Sequence, residues 1–79
     1  MTLWFENSFG DRREIAQCDN WVEVYANIRK FIDKCNEAKR SGKPFEWYYT
    51  RVWEEDGMTK IDVGSHSEFF YWEGKYTNE

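Results

Sequence analysis

Few side chains in this sequence are equipped for catalysis. It holds two cysteines, Cys18 and Cys35, and one histidine, His66. A structural zinc centre takes about four Cys or His ligands, so these three fall short and no metal site is expected. Ser65-His66-Ser67 contains the residue types of a nucleophile and a base. A catalytic triad, however, assembles its members from separate places in the chain, whereas immediate neighbours in a turn serve local hydrogen bonding. Glu54, Glu55 and Asp56 could shuttle a proton or hold a cation. Beside Gly57 they read instead as the solvated tip of a hairpin. The five glycines lack the spacing of a phosphate-binding loop. No catalytic residue and no cofactor is expected.

The chemistry that remains is that of binding. Five Trp, five Tyr and six Phe occur in 79 residues, more than a small core with one helix needs. Each buried ring removes roughly 150–250 Å² from water, so a few suffice to anchor the core and the surplus must lie on the surface. Where it lies depends on the elements that carry it.

One element is a helix. Trp21, Val24, Tyr25, Ile28, Phe31, Ile32, Cys35 and Ala38 recur at steps of three and four, one apolar stripe on a 3.6-residue period. Asn20 is a good N-cap, and Glu23 three residues on completes a capping-box pattern. Lys39 and Arg40 suit the negative end of the helix dipole. Gly42 can take the left-handed capping conformation and Pro44 blocks continuation. The spacing predicts a helix over 20–41. It would hold Cys35 about 22 Å from Asn20 along its axis, too far from Cys18 for an intramolecular disulfide.

Short strands are expected at 3–6 and 13–18, joined by turn chemistry at 7–11. After the helix, 45–54 is rich in aromatic and β-branched residues. Asp56-Gly57 marks a two-residue hairpin turn, with return strand 59–63 and a last strand at 68–72. The order β-β-α-β-β-β gives an α+β domain spanning 1–79, an antiparallel sheet with one helix packed across one face. Residues 75–79 read as a frayed tail. The place of the first hairpin in the sheet stays open.

The Asp56-Gly57 turn also fixes register, setting Glu54 opposite Thr59, Trp53 opposite Lys60, Val52 opposite Ile61 and Arg51 opposite Asp62. Opposed residues share a face. Tyr48, Thr50, Val52, Ile61 and Val63 then face the helix. Trp47, Tyr49, Arg51, Trp53 and Lys60 face away, with an Arg51–Asp62 pair and a Trp53–Lys60 cation–π contact expected among them. An even-length turn after Val63 adds Phe69 and Tyr71 to this outer face and turns Phe70 and Trp72 inward; an odd-length turn swaps them. Trp47, Tyr49, Arg51, Trp53, Lys60, Phe69 and Tyr71 are therefore the expected interaction surface, since monomers rarely expose so large an apolar patch without a use.

Charge narrows the partner. The net charge is −4. Residues 1–43 carry 8 basic and 7 acidic groups, whereas 44–79 carry 3 and 8, a net of −5. Arg51 and Lys60 are outnumbered by neighbouring carboxylates. This argues against nucleic acid and anionic membranes, both of which call for clustered Lys and Arg. No apolar run reaches the ~18–20 residues of a membrane span. The start of the chain lacks the layout of a signal peptide, so a cytoplasmic setting is expected.

The segments YYTRVWEEDG and KIDVGSHSEFFYWEG, following a capped helix, resemble small proteins encoded by phages and prophages of Gram-positive bacteria. That resemblance spans nearly the whole chain and carries over no functional residues. It implies the cytoplasm of a bacterial host cell and a small accessory role. The expected function is non-enzymatic binding through protein contacts, by self-association as a homodimer or by capture of a host factor. The alternative is a small nucleic-acid-associated regulator.

Overall fold

The computed structural model describes residues 1–39, 42, 44–65 and 67–75. Five strands and one helix follow in the expected order: β1 (Thr2–Glu6), β2 (Arg12–Gln17), α1 (Trp21–Ala38), β3 (Arg51–Glu55), β4 (Met58–Asp62) and β5 (Phe69–Trp72). The sheet is antiparallel, in the order β2-β1-β5-β4-β3. The first hairpin joins the others through β1, which pairs with β5 at Leu3↔Trp72 and Phe5↔Phe70. This placement makes β5 the central strand.

Helix α1 starts as its sequence dictates. The Asn20 side chain accepts the Glu23 N–H at 3.0 Å, and Glu23 Oε1 reaches back to accept the Asp19 N–H at 3.0 Å. The helix ends earlier than predicted, at Ala38, with Lys39 as C-cap. Gly42 lies beyond the end rather than at the cap. Asn36 explains the early stop. Its side chain accepts the Phe45 N–H at 2.7 Å and donates to the Phe45 carbonyl at 2.8 Å, folding the chain back so that Phe45 is buried. Arg40, assigned above to the helix dipole, lies outside the described residues, as do 76–79 of the expected tail.

Val24, Ile28 and Ile32 are the fully buried helix positions. They meet Leu3, Phe5, Ile61, Val63, Phe70 and Trp72 from the sheet. Phe5 and Phe31 pack with centroids 4.6 Å apart and rings tilted by 43°, and Phe70 meets Phe31 edge-on at 5.8 Å. Tyr25 and Ala38, expected on the buried stripe, are exposed. Cys18 is fully buried, Cys35 half-buried, and both are free thiols. The Trp72 indole donates to the Cys18 carbonyl at 3.1 Å, tying β5 to the start of the helix.

The Asp56-Gly57 hairpin forms as predicted. Both residues have positive φ, 54° and 76°, the requirement of a type I′ turn. The register holds from Glu55↔Met58 to Arg51↔Asp62 and then breaks. The N–H groups of Tyr48 and Tyr49 converge on one acceptor, the Val63 carbonyl, at 2.9 and 3.5 Å. Two residues opposite one is the pattern of a bulge, and it slips the side-chain alternation. Residues 44–50 consequently form no strand, contrary to the expectation for 45–54. Tyr48, assigned to the inner face, is exposed; Thr50 keeps to the helix side beside Trp21, Tyr25 and Val52 but is exposed there.

Candidate functional site

The outer face of the sheet is uncovered by the helix, and the pairings lay it out as rows. The middle row reads Glu14, Trp4, Tyr71, Lys60, Trp53 across all five strands. A row beside it sets Arg12 by Glu6 and Glu6 by Phe69 on β2, β1 and β5, with Arg51 paired to Asp62 on the far strands.

At the centre, one carboxylate gathers three donors. Glu55 accepts from Lys60 Nζ at 3.0 Å, from the Tyr71 hydroxyl at 3.0 Å and from the Trp53 indole at 3.4 Å. The Lys60 hydrogen bond, followed by those of Tyr71 and Trp53, holds the Glu55 carboxyl below its usual pKa. Burial pulls Lys60 down, but its hydrogen bonds with Tyr71 and Glu55 outweigh this and leave its pKa raised. The ammonium also lies 4.2 Å from the Phe69 ring centroid, 5.2 Å from that of Tyr71 and 5.6 Å from that of Trp53. From the other side the Arg12 guanidinium stacks on Tyr71 at 3.8 Å while pairing with Glu6 at 3.0 Å. The Glu6 hydrogen bond raises the Arg12 pKa.

This packing changes the expected surface. Tyr71 keeps only 1 % of its surface exposed, sealed by Arg12, Lys60 and Glu55. Lys60 is 12 % exposed. Trp53 and Phe69 stay half-buried on the outer face. The Trp53–Lys60 contact forms; the Arg51–Asp62 ion pair does not. Asp62 turns its carboxylate to the Gly64 N–H at 2.8 Å, and Arg51 lies over Trp53 at 5.6 Å. Tyr49 sits at the surface against Gly64. Trp47 is on the other side of the sheet altogether. Its ring packs on Tyr25 at 4.5 Å beneath Arg29 at 4.8 Å, because the bulge moves it to the helix side.

Trp4, Glu6 and Arg12 belong to this face and were missed by sequence reasoning. Along β1 Leu3 and Phe5 are buried while Trp4 and Glu6 alternate to the opposite face, a period-2 pattern that was available as a signal. Only the pairing of β1 with β5 sets them beside Tyr71.

Among the described residues the catalytic candidates are not brought together. Ser65 donates to Glu68 at 3.0 Å, and His66 lies outside the described residues. Cys18 lies in the link between β2 and α1 and Cys35 near the end of α1, with both thiols pushed up by burial. Among the described residues no three Cys, His, Asp or Glu side chains come together as a metal site, and no helix is long and apolar enough to cross a membrane.

No family model matches this chain, and no curated protein or solved structure is detectably similar to it.

Proposed function

We propose that this is a non-enzymatic accessory protein of the bacterial cytoplasm, of phage or prophage type, that captures a protein partner on the outer face of its sheet. One observation carries the reading. Trp4, Trp53 and Phe69 lie half-buried on a floor held by Glu55, Lys60, Tyr71 and Arg12. Half-buried Trp side chains around a centre held in place by hydrogen bonds make efficient anchors, because little side-chain freedom is lost on binding. The floor's cations are already neutralised by Glu6 and Glu55, which favours a protein over a polyanion. The test is capture of a partner from host lysate by the wild type and by Trp4→Ala and Trp53→Ala. Both variants should keep the native circular dichroism spectrum and lose the partner that the wild type retains. Retention by both would overturn the reading.

A regulator bound to nucleic acid is a second reading, and a different surface favours it. Arg13, Lys30 and Lys34 line a recess beside Phe31, with Glu14 the one carboxylate among its lining residues. Three phosphate contacts would give single-stranded DNA a log affinity falling with log salt at a slope of about −2. Binding that is flat in salt, or no binding at low salt, removes this alternative.

A further inference from the structure

The tip of the β1–β2 hairpin presents a single ring to solvent. Phe9 is 87 % exposed, yet its loop is tightly held. The Asn7 side chain accepts the N–H groups of Phe9 and Asp11 at 2.9 and 3.0 Å. The Asn7 backbone accepts from Gly10 at 3.0 Å and donates to Asp11 at 2.9 Å. Docking such a ring costs its own rotamer freedom but no further ordering of the loop that carries it.

At the base of the same hairpin, on the helix side, a recess of about 270 Å³ opens between Phe5, Phe31 and Cys35. It is smaller than the roughly 300–1,000 Å³ pockets of drug-sized ligands and is lined mainly by apolar atoms. Asp11 and Arg13 stand on its rim, and the Asp11 carboxylate has no ion-pair partner among the described residues. Knob and recess lie at one end of the molecule, which is the arrangement that lets a two-fold axis satisfy both at once.

We infer that this end of the protein is a self-association surface, on which Phe9 of each copy enters the Phe5–Phe31–Cys35 recess of a second copy. Asp11 and Arg13, the latter lying over Phe31 at 5.6 Å, both line the recess, so two copies that meet there bring carboxylate and guanidinium groups of opposite charge to one interface. The two rings bury roughly 150–250 Å² apiece. With the hairpin rims the interface stays near the lower end of specific contacts, about 1,000 Å² in total. The dimer is therefore weak and forms at high protein concentration. It adjoins the outer sheet face at Arg12, which lines the recess and also stacks on Tyr71, and it leaves Trp4, Trp53 and Phe69 free for a partner.

Sedimentation velocity on the full chain from micromolar to millimolar concentration tests this. The wild type should pass from monomer to dimer, and Phe9→Ala should raise the dissociation constant about tenfold or more, as loss of a buried anchor does. Because Phe9 touches solvent, its fold should be unchanged. Asp11→Arg should weaken the dimer and Asp11→Arg with Arg13→Asp should restore it. Thiol labelling supplies a second readout. Cys35 should react more slowly as wild-type concentration rises and at a constant rate in Phe9→Ala, with fully buried Cys18 as the inert reference. A wild type that stays monomeric throughout overturns the inference. So does a dimer that survives Phe9→Ala but is lost in Trp53→Ala, which would place self-association on the outer sheet face.

Discussion

Glu55 is the residue on which the outer face turns, because Lys60, Tyr71 and Trp53 all point their protons at it. Its carboxyl is held below the usual value of 4.5. A carboxyl whose pKa is depressed by folding stabilises the native state above the unfolded value and stops doing so as pH falls through the folded one. Thermal melts between pH 7 and pH 3 should therefore show stability lost below about pH 4.5. Glu55→Gln should flatten that loss. Glu73, lowered by the Thr2 backbone N–H, should leave a residual slope. An acid limb of the same steepness in the variant would mean that the three donors do not hold Glu55 in solution.

At the scale of elements, the return from α1 to the sheet is governed by two local devices. The first is the Asn36 clamp on Phe45. Asn36→Ala leaves the Phe45 backbone groups without these partners and should cost about 1–3 kcal/mol, read as a lowered urea midpoint with unchanged slope. The second is Gly64, which has φ 102° and lies under Tyr48, whose Cβ would stand 2.9 Å from an added methyl. Gly57 also has positive φ but faces open space. Gly64→Ala therefore meets both backbone strain and a clash, and should lose clearly more melting temperature than Gly57→Ala, where only strain of about 1–2 kcal/mol applies. Equal losses would show that the Tyr48 contact is absent in solution. The Asp56-Gly57 register was legible from two residues because a type I′ turn admits few others. The bulge at Tyr48 and Tyr49 was not, since nothing in a run of aromatic residues announces that two N–H groups will share one carbonyl.

For the whole molecule, the core is a single layer between one helix and one sheet face, with Ile28 at its centre and only 1 % exposed. Ile28→Ala should destabilise by about 2–5 kcal/mol, a large share of what a domain of this size possesses. An unaltered melting curve would be incompatible with the packing described. One helix can cover one face, so the opposite face must manage its own rings. It does so with charge: Arg12 and Lys60 lie on aromatic surfaces that would otherwise meet water. Of the expected aromatic patch Trp53 and Phe69 stay half-buried on this face, joined there by Trp4, around a Tyr71 that Arg12, Lys60 and Glu55 cover.

The sequence by itself determined the helix, the order of strands, the hairpin register and the sorting of Trp53 and Lys60 onto the outer face. These are local matters of period, capping and turn geometry, and residues a few positions apart decide them. Phe69 and Tyr71 waited on the length of the turn after Val63, which the pairing of β4 with β5 settled. The tertiary structure alone decided which strand neighbours β5, and so brought Trp4, Glu6 and Arg12 to Tyr71. It also decided that Trp47 packs on Tyr25. Both outcomes join segments tens of residues apart, where what selects the pairing is the packing of the assembled sheet and helix. No short stretch of chain contains that information.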